Sequence, residues 1–493
     1  MLFAGCSNDV VVAPMKAPMG PLLSVSAAND RGDYILQANG KGFGADFTAK
    51  VAAAGGVVIY SNSKVGFASV SGLTPSAATQ LGAVTGLSVQ ADATVMLDSP
   101  AAVFEEDLGA TAESSAQSQA NPAGALRGFF QWNMHLIGAD SVWKLAQVES
   151  IPLNSSLLGD STVTVAILDT GIDYDNRDFF NTTTGVRLVD LNRSTSFVPS
   201  DDAISASMFP SRNVLSDFHG HGTNVATQVS SLAFALAGVT SKTKLIGVKV
   251  LNAQGSGSLG GVLSGVLWAA DHGANIANMS LGGAFAKAGN GRLVSLINRV
   301  FNYAKQQGML IVVSAGNALP PDFVPVDIQH NGNQFQSYCD APHVICVSAV
   351  GPLTYDALHD PPFVGDVPAW YSYYGRSVIS VAGPGGNSGD VFSTWPWGFS
   401  NGSPVWSFCS RQRLVFSAEG VPALAGCQAG GTLRGYLGTS QAAPHVSGLA
   451  ALLIAKYGHL SPQALKKRIE ETGDPIDPAY GRSRINVLRA LGL

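Results

Sequence analysis

Charged side chains are scarce in this 493-residue chain. The 29 Lys and Arg and 34 Asp and Glu make up 13% of it, about half the usual share. The net charge is only −5 and no run of lysine or arginine occurs, so the electrostatic footprint for nucleic acid or an anionic lipid surface is missing. Long apolar runs are missing too. Stretches such as residues 446–455 fall well short of the ~20 residues that cross a bilayer, so no transmembrane helix is expected. Cysteines are few, at 6, 339, 346, 409 and 427. The last four can close two local bridges, Cys339 with Cys346 and Cys409 with Cys427, or stand as separate buried thiols.

Cys6 follows Leu2-Phe3-Ala4-Gly5, a pattern like the end of a bacterial lipoprotein signal, which would put a lipid anchor on Cys6. The positive region and apolar stretch of such a signal are absent. A truncated signal and a chance tetrapeptide both remain open.

Apolar residues make up 46% of the chain, ample for a core, and 56 glycines take the place of much of the missing charge. The length exceeds one ordinary domain, which predicts a large body with a smaller companion. After an N-terminal segment, residues 1–32, the pattern over 33–100 reads strand, helix, strand, strand, helix, strand. Its second helix opens on Thr74-Pro75, a capping residue followed by a proline at an early helical position. That order is the split βαβ motif, a small α+β, ferredoxin-like domain. Residues 101–128 read as an exposed linker, with 107–124 rich in Ala, Ser, Gln and Gly, the kind of segment proteases cut.

From 129 to 493, apolar strands at 164–168, 245–251, 275–281, 310–314, 344–350 and 378–382 alternate with helices such as 259–272 and 292–307. Strands apolar on both sides and separated by helices predict an α/β fold, a parallel sheet with helices on both faces. Around 387–434 the rhythm breaks. That stretch carries Trp395, Trp397 and Trp406 among many Gly and Ser, and reads as a surface insertion.

Four short motifs carry chemistry. The strand 163–168 ends in Asp169-Thr170-Gly171, at the end of a parallel strand where open α/β sheets place their sites; such a carboxylate also caps turns. His221 lies in Asp217-Phe218-His219-Gly220-His221-Gly222-Thr223 ahead of a helical pattern, where it could shuttle a proton. His219 and His221 could equally bind zinc with Asp217 or Asp169, or decorate a glycine-rich turn. Ser440, in Gly438-Thr439-Ser440-Gln441, opens an apolar helix whose free N–H groups favour a developing oxyanion; a plain capping serine looks the same. Asn317 ends Ser314-Ala315-Gly316-Asn317 after an apolar run and could donate an amide hydrogen bond or occupy a left-handed turn.

Together, Asp169-Thr170-Gly171, His221-Gly222-Thr223, Ser280-Leu281-Gly282-Gly283, Ala315-Gly316-Asn317 and Gly438-Thr439-Ser440 with Ala443-Pro444-His445 resemble the signature set of the subtilisin family. The resemblance covers about 130–493, and the βαββαβ unit is similar to the family's inhibitory propeptide. It implies a subtilisin-like serine endopeptidase, secreted or on the cell envelope and monomeric, that hydrolyses protein or peptide substrates through an acyl-enzyme. Ser440 is then the nucleophile, His221 the base and acid, Asp169 its orienting partner, and Asn317 an oxyanion donor. Gly255-Ser256-Gly257, Ser280-Leu281-Gly282 and Ala315-Gly316 would bind an extended substrate. The propeptide would act as intramolecular inhibitor until a cut between residues 105 and 128.

Three positions depart from the pattern. Asn224 stands where histidine is usual and Gln441 where methionine is usual. Asp178 resembles a calcium ligand, but its partner loop is the apolar Leu232-Ala233-Phe234-Ala235-Leu236, so structural calcium is not supported at that site. The chemistry itself requires no cofactor. Two other readings stay open: an inactive binding protein on the same fold, and a metal hydrolase using His219 and His221.

Overall fold

The computed structural model describes residues 32–38, 42–97, 104–107, 122–125, 128, 131–148, 156–318, 324–352, 365–387, 398–400, 403–405, 414–419 and 432–493. Cys6, Cys409, Cys427 and the three tryptophans 395, 397 and 406 lie outside them.

The front unit runs β1 (Tyr34–Gln37), α1 (Phe47–Ala53), β2 (Val57–Asn62), β3 (Phe67–Ser71), α2 (Pro75–Thr85) and β4 (Ser88–Ala91), the order expected. Its sheet is antiparallel, in the order β2-β3-β1-β4. Thr74 caps α2 by accepting the Ala77 N–H at 3.2 Å. Strand side chains alternate between faces. Leu36, Ala68 and Val70 pack on one face against Phe47, Val51 and Leu81 of the helices. Ile35 and Phe67, one residue out of step, join the core of the large body instead. Both faces are thus used, one to fold and one to dock.

The chain then continues past β4 into two short strands, β5 (Thr94–Met96) and β6 (Phe104–Asp107). The region 101–128 is therefore not a featureless linker: β6 belongs to a three-stranded sheet, described below.

The large body is built on β7 (Thr164–Asp169), α3 (His221–Val229), β8 (Lys244–Lys249), β9 (Ser256–Ser258), α4 (Leu259–Asp271), β10 (Ile276–Met279), α5 (Gly291–Gln306), β11 (Leu310–Ser314), β12 (Val344–Gly351), β13 (Val381–Pro384), β14 (Val415–Glu419), β15 (Thr432–Tyr436) and α6 (Thr439–Tyr457). Six of these strands form a parallel sheet in the order β13-β12-β11-β10-β7-β8. Thr195–Ser196 and Val367–Pro368 complete it as short edge strands.

Period-two alternation distributes the sheet between two cores. Val165, Ile167, Leu310 and Val312 face α6, while Ala166, Leu168, Ile311 and Val313 face α4 and α5. Buried side chains of this size each contribute about 1.5–3 kcal/mol, and both layers are nearly complete, which fixes the strand ends that carry the site. The expected strand at 378–382 is displaced to Val381–Pro384.

The end of the insertion also differs from expectation. Leu414, Val415 and Phe416 are buried, and the side-chain amides of Asn224 and Gln228 on α3 donate to the carbonyls of Val415 (3.4 Å) and Phe416 (2.7 Å). This portion is core rather than surface.

Candidate active site

β7 ends at Asp169, and α3 begins at His221. The two meet because Gly222, in the first turn of α3, packs directly on the strand end. A methyl group at Gly222 would lie 2.1 Å from the Gly171 carbonyl and 3.1 Å from Asp169 Cβ. With no side chain between them, the His221 ring reaches the carboxylate, and its Nδ1 lies 2.7 Å from Asp169 Oδ1. The same oxygen accepts the Thr170 N–H at 2.8 Å. Both side chains are fully buried, and His221 Nε2 has no hydrogen-bond partner within the described protein. Ser440 Oγ is not its partner here, since that hydroxyl donates to the Ser280 carbonyl at 3.2 Å.

Asp217 holds this arrangement, and sequence reasoning offered it only as a metal ligand. Its Oδ1 accepts the N–H groups of His219 (3.0 Å) and Gly220 (2.9 Å) and the Thr170 hydroxyl (2.9 Å). Its Oδ2 accepts the Thr223 N–H (2.9 Å) and hydroxyl (2.7 Å). Burial works to raise its pKa, but these donors outweigh it and leave the carboxyl below its ordinary value. The only available signal was its position four residues before a histidine that starts a helix.

Thr170 extends the clamp by accepting the Gly222 N–H at 2.9 Å. Lys249, opposite Asp169 in the sheet register, was also missed. Its buried ammonium bridges the Asp201 carboxylate and the Ser216 carbonyl, both at 2.8 Å, and so fixes the segment leading to His219.

The imidazoles of His219 and His221 do not converge on a metal. His219 Nδ1 accepts the His221 N–H at 3.3 Å while His221 Nδ1 faces Asp169. Asp217 is saturated by donors, and no group of three or more His, Cys, Asp or Glu is arranged for a metal among the described residues. The His219 pKa is lowered by burial and by the neighbouring His221.

Ser440 stands in the first turn of α6, buried, with its hydroxyl donating to the Ser280 carbonyl at 3.2 Å. Ser280 returns the contact, its own hydroxyl donating to the Ser440 carbonyl at 2.7 Å. Asn278 orients that hydroxyl at 2.9 Å and accepts from Ser447 at 2.8 Å. Asn317 Oδ1 accepts the Thr439 N–H (2.8 Å) and hydroxyl (3.0 Å). The Asn317 amide nitrogen thereby points toward Gly438. The position a Cβ would take on Gly438 lies 3.6 Å from both that nitrogen and the Ser440 backbone nitrogen. Gln441 Oε1 lies nearer that place, at 2.8 Å, so an acceptor borders it along with the two donors.

Residues 160–488 match the sequence model of the subtilase family, peptidase S8. The chain belongs to the subtilase family. The cuticle-degrading protease of Metarhizium anisopliae is 29% identical over 316 residues, 62% of this chain and 58% of its own length. Subtilisin E of Bacillus subtilis (strain 168) is 26% identical over 351 residues, 70% of each chain. Among solved structures, the epidermin leader peptide processing serine protease of Staphylococcus aureus superposes with a TM-score of 0.59 at 20% identity, over 94% of this chain and 98% of its own. At that identity the likeness speaks to the fold.

The cleft of this subtilase holds a strand of its own chain. β5 pairs antiparallel with β9 in the register Ser256↔Met96, Gly257↔Val95, Ser258↔Thr94, and the Leu97 N–H donates to the Gly255 carbonyl at 2.8 Å. On its other side Met96 bridges Gly282. The segments 255–257 and 280–282, expected to bind substrate, are therefore the two edges that grip β5. Val95 is fully buried between them. Ala315 and Gly316 lie beyond, where Gly316 adopts φ +107° and has Tyr373 and Ser337 within 2.8 Å of the place a Cβ would occupy.

The calcium position is filled by protein. Asp178 accepts the N–H groups of Ala235 (2.8 Å) and Leu236 (3.3 Å), and its carbonyl accepts the Leu232 N–H at 2.6 Å. The Gln131 side chain pairs with both backbone groups of Ala237 at 2.7 and 2.8 Å. Burial pushes the Asp178 carboxyl up to about 6 even so. With donors rather than oxygen ligands facing the carboxylate, this group of residues does not fit a calcium ion.

One of the two expected bridges, Cys339–Cys346, is present. It joins a turn in which Ser337 and Tyr338 have φ of +48° and +53° to strand β12. The partner pair falls outside the described residues. No helix among those described is long and apolar enough to cross a membrane.

Proposed function

We propose that this subtilase is a serine endopeptidase made as a precursor, exported, and kept inactive by its own front domain until the connection is cut. Ser440 attacks the carbonyl of an extended polypeptide lying between residues 255–257 and 280–282. His221 takes its proton through Nε2 and later passes it to the leaving amine. Asp169 keeps the ring in the required tautomer and stabilises its protonated form. Asn317 and the Ser440 N–H receive the charge that develops on the carbonyl oxygen.

The observation that carries this reading is the strand β5. It pairs with both edges of the cleft as an added strand, the mode by which extended peptides are bound. An internal segment seated there excludes external substrate. The bond cut in maturation is then one shortly C-terminal to Leu97, the last residue of this segment hydrogen-bonded to the 255–257 edge, rather than one in the window 105–128 read from the linker composition. The disulfide Cys339–Cys346 favours export to an oxidising compartment.

The test compares wild type and Ser440→Ala by intact-mass measurement and by labelling with a serine-reactive phosphonate. The expected outcome is a shortened, labelled wild type and an intact, unlabelled variant. Wild type that stays unlabelled and cleaves no protein substrate overturns the proposal.

A further inference from the structure

Where the chain enters β7 and β8, at the end of the sheet opposite Asp169, it lines a cavity of about 200 Å³. Ser161 precedes β7, and Ser241, Lys242 and Lys244 lead into β8. The length of β7, ~16 Å at the usual rise per strand residue, separates this cavity from the catalytic end. Leu188 and Leu232 form its buried apolar wall, and Val186, 47% exposed, stands at its mouth. The turn that carries Val186 is fixed by its own hydrogen bonds. Asn181 Oδ1 accepts the Thr183 and Thr184 N–H groups, both at 3.0 Å, and the Asn181 N–H donates to the Val186 carbonyl at 2.9 Å.

Two polar groups at this cavity are unsatisfied. Ser241 is 1% exposed, and its hydroxyl has no hydrogen-bond partner within the described protein. Lys242, next in the chain, keeps its ammonium out of solvent, likewise with no hydrogen-bond partner. Asp160 acts on that ammonium only through charge, because its Oδ1 is already taken by the Thr162 N–H and hydroxyl, both at 2.8 Å. Burial holds the Lys242 pKa below its ordinary 10.5. Lys244, by contrast, donates its ammonium to the Arg187 carbonyl at 2.5 Å. Buried donors are ordinarily paired, and a shielded cation most of all.

An unpaired ammonium and an unpaired hydroxyl beside an apolar wall match a ligand with an anionic head and an apolar body. A carboxylate accepts several hydrogen bonds on its two oxygens, more strongly when the donor is charged. The volume exceeds the roughly 150 Å³ that suffices for benzene, which sets the apolar part at about six carbons. We propose that this cavity binds a small aliphatic monocarboxylate, its head on Lys242 and Ser241 and its tail against Val186, Leu188 and Leu232. A free short-chain acid and the carboxyl-terminal apolar residue of a peptide present this same chemistry. The site lies apart from the catalytic end and does not depend on the endopeptidase reading.

The test titrates the intact Ser440→Ala chain with sodium hexanoate, hexanol and N-acetyl-leucine, followed by calorimetry and saturation-transfer NMR. Hexanoate is expected to bind with a Kd of about 1 mM or tighter, and hexanol at least about tenfold more weakly. N-acetyl-leucine bound as tightly as hexanoate assigns the peptide source, and weaker binding assigns the free acid. Lys242→Met is expected to lower hexanoate affinity at least about tenfold, and Val186→Trp, at the mouth, to abolish binding, each with the circular dichroism of a folded chain. Equal affinity for hexanol and hexanoate, or hexanoate binding unchanged in Lys242→Met, overturns the carboxylate head. No binding of hexanoate at about ten times the expected Kd, or binding unchanged in Val186→Trp, overturns the site.

Discussion

Gly222 and His445 show how single residues set the conditions for the site. Gly222 is required by contact distance, since a Cβ there would sit 2.1 Å from the Gly171 carbonyl. Gly222→Ala is therefore expected to push α3 off β7, separate His221 from Asp169 and cost about 1–3 kcal/mol of stability. Phosphonate labelling slowed at least about 100-fold, together with a lowered Tm, is the expected result; labelling at the wild-type rate would show that the strand end gives way freely.

His445 is buried, its Nδ1 2.7 Å from the Gln441 carbonyl and its Nε2 2.7 Å from the Asn133 amide. Burial lowers its pKa to about 4 from an ordinary 6.5. Between these values the unfolded chain binds the extra proton and the folded one does not. The stability contribution is thus complete above pH 6.5 and lost as pH falls toward 4, by at most about 3 kcal/mol. Denaturant melts of wild type and His445→Gln at pH 7.5 and 4.5 are expected to show a smaller acid loss in the variant. Equal losses would assign the acid sensitivity to other groups.

At the scale of elements, the loop that follows α3 is held by hydrogen bonds to two side chains. Asp178 and Gln131 hold residues 232–237 by their own side chains. A chelator is accordingly expected to leave Tm unchanged. Asp178→Ala leaves the buried Ala235 and Leu236 N–H groups without their acceptor, and is expected to destabilise by roughly 2–4 kcal/mol. A Tm that falls on chelation in wild type but not in Asp178→Ala would place a cation at this loop after all.

The regular elements were largely legible in the sequence because their signals are local. Thr74-Pro75 marks the start of α2, and the apolar runs of β7, β11 and β12 are buried on both faces as their composition suggests. The segments 101–128 and 387–434 were not legible. β14 and β15 are short strands that pair with each other, and β6 joins β15 from the far end of the chain, Phe104 opposite Gly435; no local pattern specifies that long-range pairing.

At the scale of the whole molecule, the front domain docks chiefly on α4. Asp92 accepts the Gly260 N–H with both oxygens, at 3.0 and 3.1 Å, at the positive end of that helix. At the opposite end Tyr60 and Asn62 donate to Asp271 at 3.3 and 3.2 Å. The domain therefore grips both ends of one helix, and β5 follows it into pairing with Ser256–Ser258 and Gly282. In the Ser440→Ala precursor, Asp92→Ala is expected to raise amide exchange of Gly257 and Gly260 about tenfold, the consequence of losing ~1.4 kcal/mol at the helix terminus. Exchange that does not change would shift the hold to the Asp271 end.

The sequence by itself determined the family and the fold class, and it pointed to Asp169, His221, Ser440 and Asn317 as candidates because each sits in a short motif at an element end. It could not determine what surrounds them. That Asp217 clamps the His221 turn, that Ser280 holds Ser440 by two hydrogen bonds, and that Asp178 faces N–H donors depend on residues distant in the chain meeting at fixed distances. The occupancy of the cleft by β5, and of the edge beside it by β6, was decided the same way. Strand pairing is a relation between two backbones, and only the folded chain brings them together.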